Sequence, residues 1–264
     1  MTSAQEKRDL AYENGGFIPD AAAYGDRWPR AAAAFRAARR CDLDVSYGDH
    51  PRAAYDLFWP EGTPKGLMVF VHGGYWKARA KSDWSHFAAG GLERGYAVVL
   101  PGYPLAPEVR ISEITQHIAR AITAAAAQVA GPIALTGHSA GGHLVARMAM
   151  PGVLTEDVAG RIFTSVPISP VSDLRPLVDL SMNAELRLDA VEAAAESPIL
   201  GLPLPHIAVT PIVGAEERPV FLDQARWLAE AWGTPQIILP GRHHFDVIDA
   251  LMDPDSRMMR ALLG

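Results

Sequence analysis

The sequence predicts an α/β fold with a mostly parallel central sheet covered by helices on both faces. Three observations carry this. Short apolar runs alternate with longer stretches of helical periodicity, as expected for buried parallel strands joined by crossover helices. Midway along the chain, Pro132-Ile-Ala-Leu135 reads as a short buried strand. It runs into Thr136-Gly137-His138-Ser139-Ala140-Gly141-Gly142 and then into an apolar-faced helix. Upstream, a second strand, Leu67-Met-Val-Phe-Val71, leads directly into His72-Gly73-Gly74-Tyr75-Trp76.

Taken in order, residues 1–40 are rich in Ala and Arg around Trp28 and predict one or two helices ahead of the main fold. Residues 42–49 and 53–60 read as a strand pair joined by Gly48-Asp49-His50-Pro51, whose residues favour a turn, and form an antiparallel edge. Buried strands are expected at 66–72, 96–100, 132–136, 163–168, 207–213 and 236–239. The helices between them are expected at 82–94, 111–129, 140–150, 219–232 and 246–251. From Val171 to Pro205 the strand rhythm stops, and residues 171–205 read as a small helical cap inserted after a strand, placed to roof a site. Neither a repeat nor a linker interrupts the pattern, so residues 1–264 read as one domain.

Composition narrows the functional classes. With 264 residues, 49% of them hydrophobic and 20% charged, the chain has the make-up of a soluble globular enzyme with a self-sufficient core. A net charge of −6 offers no basic surface for nucleic acid or anionic lipid. Cys41 is the only cysteine, which excludes an internal disulfide and a cysteine-cluster metal site. Residues 1–10 are polar and lack an apolar signal core, and no apolar run approaches the roughly 18 residues of a membrane span. The expectation is a soluble, cytoplasmic protein with no nucleic-acid or membrane partner. Dinucleotide, phosphate-loop and His-Glu-x-x-His motifs are missing, so neither a cofactor nor a metal is inferred.

A serine placed between strand and helix in Gly-x-Ser-x-Gly has the form of a nucleophile elbow, which lifts the hydroxyl off the sheet end. Ser139 is therefore the candidate nucleophile, and it needs a base, an acid that orients the base, and oxyanion donors. The backbone N–H groups of Gly74, Tyr75 and Ala140 are the candidate donors, with Gly73 shaping the loop. The base belongs after the last strand, where Pro240-Gly-Arg-His243-His244-Phe245-Asp246 supplies two histidines. The acid belongs after the preceding strand. Glu217, just ahead of a helix opened by Pro219, is the first candidate, with Glu216 and Asp173 as alternatives. Tyr75, Trp76 and Phe245 adjoin these positions and are candidates for an aromatic substrate pocket. His72 reads as a brace for its loop, and His138 and His143 as packing residues beside the serine.

With these residues assembled, the chain resembles the serine α/β-hydrolases, most closely the arylformamidase (kynurenine formamidase) branch and related bacterial esterases, from about Asp42 onward. The resemblance lies in His72-Gly73-Gly74-Tyr75-Trp76, the elbow at 137–142, Ser169-Pro-Val-Ser-Asp-Leu-Arg-Pro-Leu177 with Asn183 and Ser197-Pro198, and His244-Phe-Asp-Val-Ile248. It implies an α/β-hydrolase fold, assigns the catalytic histidine to His244, and suggests N-formylkynurenine as substrate. One departure stands out: the branch usually carries Asp two residues before Pro-x-Phe, where this chain has Glu217 before Arg218-Pro219-Val220-Phe221. The expected activity is hydrolysis of a small ester or activated amide through an acyl-serine. A general carboxylesterase or thioesterase is the first alternative, and a catalytically silent hydrolase-like binding protein the second. The sequence carries no pattern that sets an oligomeric state.

Overall fold

The central strands at Leu67–Val71 and Ala97–Pro101 form where apolar residues run without interruption, whereas the edge strand at Cys41–Ser46 alternates polar and apolar residues. In the computed structural model, which describes residues 3–264, two helices precede the sheet: α1 (Ala4–Tyr12) and α2 (Ala21–Ala38). The strands are β1 (Cys41–Ser46), β2 (Ala54–Phe58), β3 (Leu67–Val71), β4 (Ala97–Pro101), β5 (Ile133–His138), β6 (Ile162–Ile168), β7 (Ala208–Val209), β8 (Ile212–Gly214) and β9 (Ile237–Leu239). Between and after them lie α3 (Ala89–Glu93), α4 (Ile111–Gln128), α5 (Ala140–Met148), α6 (Glu156–Ala159), α7 (Asn183–Leu186), α8 (Ala190–Ala195), α9 (Pro219–Trp232) and α10 (Arg257–Leu263). The sheet order is β1-β2-β4-β3-β5-β6-β8-β9, with β7 also paired to β6. The β1–β2 and β2–β4 pairs are antiparallel, and the remaining pairs are parallel.

Alternation along each strand divides the interior into two cores. Leu67, Val69 and Val71 of β3 pack with α4, α5 and α9 on one face. Met68 and Phe70 of the same strand join Trp28 of α2, Trp84, Phe87 and the Met258–Met259 pair of α10 on the other. The helices bury one stripe each. In α4, Ile111, Ile114, Ile118, Ile122 and Ala125 recur at three- and four-residue spacing and all are buried. Pro219 opens α9 and Gly233, at φ 62°, closes it.

Register places the loops that matter side by side. Val71 pairs with Gly137, His138 with Ile168, Ile168 with Ile212, and Gly214 with Leu239. The segments following β3, β5, β6, β8 and β9 therefore leave the sheet at one carboxyl edge, where open α/β sheets hold their ligands.

Several local expectations change. The strand expected at 207–213 is broken into β7 and β8, because Pro211 has no N–H to give the ladder. The helix expected at 82–94 opens as two 3-10 turns before α3, and 246–251 is a 3-10 turn at Val247–Leu251. Helices α6 and α10 were not anticipated. Residues 171–205 hold two 3-10 turns, α7 and α8.

Candidate active site

Ser139 sits between β5 and α5 at φ 57°, ψ −115°, a conformation L residues rarely hold, and its N–H donates to the Ile168 carbonyl at 2.8 Å. The flanking glycines are a steric requirement. A Cβ at Gly141 would lie 2.0 Å from the Val71 carbonyl oxygen, and one at Gly137 would lie 2.4 Å from that of Gly141. The turn closes only because two side chains are missing.

The loop after β3 lies against this turn, with Gly73 packed on the His138 carbonyl. Gly74 (φ 116°), Tyr75 (φ 49°) and Trp76 (φ 56°) are all left-handed, and the Gly74 carbonyl accepts from the N–H groups of Lys77 (3.1 Å) and Ala78 (3.0 Å). Among the described residues, the N–H groups of Gly74, Tyr75 and Ala140 donate to no protein acceptor. His72 braces the loop: Nδ1–H donates to the Gly73 carbonyl (2.7 Å), and the ring stacks on Tyr103 with centroids 4.4 Å apart. Burial pushes its pKa down to about 4, so the ring is neutral.

His244, on the loop after β9, and Glu217, on the loop after β8, meet as a pair: Nδ1 donates to Oε2 at 2.6 Å, and both side chains are almost fully buried. The other Glu217 oxygen accepts from Ser169 Oγ and from the Gly214 N–H at 2.8 Å. These donors fix the carboxylate and leave Oε2 for the imidazole. Glu216 is exposed, and Asp173 is held by Arg175 at 2.7 Å. His243 is taken up elsewhere, accepting the Phe245 N–H at Nδ1 (3.1 Å) with Tyr24 Oη 3.3 Å from Nε2. Ser139 and His244 line one cavity without closing a hydrogen bond between them, a contact that often tightens only around substrate.

The neighbouring histidines hold parts together. His138 Nε2–H donates to the His244 carbonyl (2.8 Å), and burial holds its pKa well below the usual imidazole value. His143 Nε2–H donates to the Glu196 carbonyl (2.7 Å), tying α5 to the 171–205 segment.

The cavity over Ser139 has a volume of about 470 Å³. Tyr75 and Phe245 are on its wall, but Trp76 is not: it is fully buried beneath the loop, edge-on to His143 at 5.1 Å. Two left-handed residues in succession turn its indole into the core. The sequence reading missed Trp28, Trp84, Arg79 and Ser181 on the wall, and Ser169 behind Glu217. The Tyr24/Trp28 spacing on one helical stripe was an available signal for the first, and the Ser169–Leu177 resemblance stretch for the last. Helix α1 roofs the cavity, with Asp9 accepting from Ser181 N–H (2.8 Å) and Oγ (2.7 Å), and the Tyr12 carbonyl accepting from Tyr75 Oη (2.6 Å).

A sheet of this order, with a strained serine after β5 and a buried His–Glu pair at the same edge, defines an α/β-hydrolase. The model of a family described as "alpha/beta hydrolase fold" matches residues 68–224, and the chain belongs to that family. A crystal structure of a candidate thioesterase from Silicibacter sp. TM1040 is 54% identical, covers 97% of this chain and 98% of its own, and superposes with a TM-score of 0.96. Kynurenine formamidase of Salmo salar is 25% identical over 236 residues, spanning 84% of this chain and 80% of that protein. The Drosophila melanogaster enzyme is 28% identical over 238 residues, 83% and 79% respectively. The protein is an enzyme of the ester- and amide-hydrolysing class. Among the described residues no helix is long and apolar enough to cross a membrane.

Proposed function

We propose that Ser139, His244 and Glu217 are a catalytic triad that cleaves a small ester or activated amide through an acyl-serine. The observation that carries this reading is the 2.6 Å bond from His244 Nδ1 to a carboxylate itself held by two donors, on the cavity that Ser139 also lines. With Nδ1–H committed to Glu217, the lone pair of Nε2 is left to take a proton. His244 removes the Ser139 proton as Oγ attacks the carbonyl carbon, and Glu217 stabilises the imidazolium that forms. The N–H groups of Gly74, Tyr75 and Ala140 hold the oxyanion. Collapse expels the leaving group, which takes the proton from His244. Water then attacks the acyl-serine with the same histidine as base.

Among substrates, N-formylkynurenine is the first proposal. Attack on its formyl carbon releases the aromatic amine kynurenine, and the formyl-serine hydrolyses to formate. Aromatic walls at Trp28, Tyr75, Trp84 and Phe245 suit such a leaving group. A thioester substrate is the second reading, favoured by the 54% identical candidate thioesterase. One domain, roofed by residues 171–205 and α1, completes the proposal.

The test is steady-state hydrolysis of N-formylkynurenine, p-nitrophenyl acetate and an acyl-CoA, with Ser139→Ala as control. Serine-dependent turnover with kcat/KM strongly favouring N-formylkynurenine supports the formamidase. Preference for the thioester moves the assignment to the second reading. Turnover that survives Ser139→Ala removes the triad.

A further inference from the structure

The cavity wall carries four charged side chains: Asp9, Glu13, Lys77 and Arg79. Three are engaged by other groups of the chain. Asp9 is taken up by Ser181, Glu13 accepts the Gly16 N–H through both oxygens at 2.9 Å, and Lys77 Nζ pairs with Glu185 at 2.5 Å. Arg79 differs. Among the described residues its guanidinium donates no hydrogen bond and forms no ion pair.

Its placement is nonetheless fixed. The backbone is left-handed at φ 75°, the carbonyl accepts from the Arg52 guanidinium, and the side-chain stem packs against Gly74. The guanidinium carbon stands 5.6 Å from the centroid of Trp28, on a half-buried cavity wall otherwise rich in aromatic rings. Trp28 offers it a cation–π contact but no counter-charge, and a cation without a carboxylate partner beside apolar walls attracts an anion far more strongly than one in open water. Its planar fork matches a carboxylate, with two parallel N–H donors. Asp9 and Glu13 on the same wall oppose a dianion, which favours a singly charged carboxylate over a phosphate.

We propose that Arg79 is the specificity-determining anion site of this cavity, selecting substrates that carry a carboxylate beside an aromatic portion. This rests on the reading of the cavity as the substrate site, but not on any particular chemistry at Ser139. It narrows that reading to acidic aromatic esters and amides, and assigns a role that neither the elbow nor the His-Gly-Gly loop supplies.

Binding tests it independently of turnover. In the Ser139→Ala background, 3-phenylpropionate and its neutral isostere 3-phenylpropionamide are titrated by calorimetry, with intrinsic tryptophan fluorescence, to which wall residues Trp28 and Trp84 contribute, as a second readout. The acid is expected to bind at least about tenfold more tightly than the amide, the scale of a charge-assisted hydrogen bond. Adding Arg79→Gln should abolish that preference, and Arg79→Lys should restore part of it. Because each variant is read as an acid-to-amide ratio, a general loss of cavity shape cancels. Equal binding of acid and amide, no binding of either, or a preference that survives Arg79→Gln would each overturn the proposal. Acid preference without serine-dependent ester hydrolysis would keep the Arg79 site and remove the catalytic reading.

Discussion

Glu217→Gln is the sharpest perturbation the site offers, because its neighbours dictate which way the new amide points. Glu217 Oε1 accepts from Ser169 Oγ and from the Gly214 N–H, and the second of these groups can only donate. If the glutamine NH2 faced Gly214, two buried donors would confront each other, at a cost of about 1–3 kcal/mol for each unsatisfied group. The amide oxygen is therefore held toward Gly214 and the NH2 is aimed at His244 Nδ1, where Oε2 now accepts at 2.6 Å. Nδ1 must then become the acceptor, and the ring proton moves to Nε2.

An imidazole protonated at Nε2 cannot take the proton of Ser139. The expected consequence is a fall in kcat/KM of roughly 10³–10⁴, equivalent to about 4–5 kcal/mol of transition-state stabilisation, carried almost wholly by kcat. Side-chain volume is conserved, so the thermal midpoint should move by only a few degrees. Nitrogen NMR of His244 reads the tautomer directly. A variant that keeps its activity within tenfold of the parent, or that keeps the proton on Nδ1, refutes the argument. Glu217→Asp, which keeps the charge but falls a methylene short, should lie between the two.

Four further outcomes follow from other parts of the structure. Gly141→Ala puts a Cβ 2.0 Å from the Val71 carbonyl and should abolish activity while lowering the denaturant midpoint. Gly25→Ala, mid-helix in α2 with nothing within 4 Å of the new methyl, should instead stabilise by about 0.5–1 kcal/mol, and a pair of variants with equal midpoints would show the steric reasoning wrong. His72 and His143 are buried with pKa values pushed down to about 4, so between pH 6.5 and 4 the unfolded chain binds protons that the fold refuses. Their contribution is fully present above pH 6.5 and is lost as pH falls toward 4, by about 3 kcal/mol each, so urea midpoints that stay flat from pH 7 to 4.5 would contradict it. Asp9→Ala removes the acceptor for Ser181 and should speed hydrogen exchange across Ala4–Tyr12 and raise KM; unchanged exchange would mean other contacts hold the roof.

The parts of the site that sequence made legible share one property: each lies within a few residues of a strand end. In a parallel sheet every strand delivers its following loop to the same edge, so Gly74, Ser139, Glu217 and His244 are brought near one another by connectivity alone. Glycine spacing adds to this, because Gly137 and Gly141 occupy positions where a side chain would strike backbone. The Pro211 break was equally present in the chain, yet a proline at the join of two short strands reads the same as one at an edge until the partner strand is known.

What stayed hidden depends on direction rather than on proximity along the chain. Trp76 adjoins the His-Gly-Gly loop yet points into the core, since Tyr75 and Trp76 both take positive φ and no side-chain pattern encodes that. The roof is hidden for a different reason. Tyr75 and Arg218 grip α1 through the carbonyls of Tyr12 and Leu10, groups that every residue possesses, and the side chains that also hold it, Gln5 and Asp9, read in sequence as ordinary polar helix residues. Arg79 is hidden in the same way as Trp76, its left-handed backbone carrying a guanidinium that lies 5.6 Å from the Trp28 ring on the cavity wall. The chemistry at the sheet edge is therefore encoded locally. In the proposed reading, selectivity is set by side chains that the fold gathers from α1, α2, the loop after β3 and the 171–205 segment, which line the cavity over Ser139.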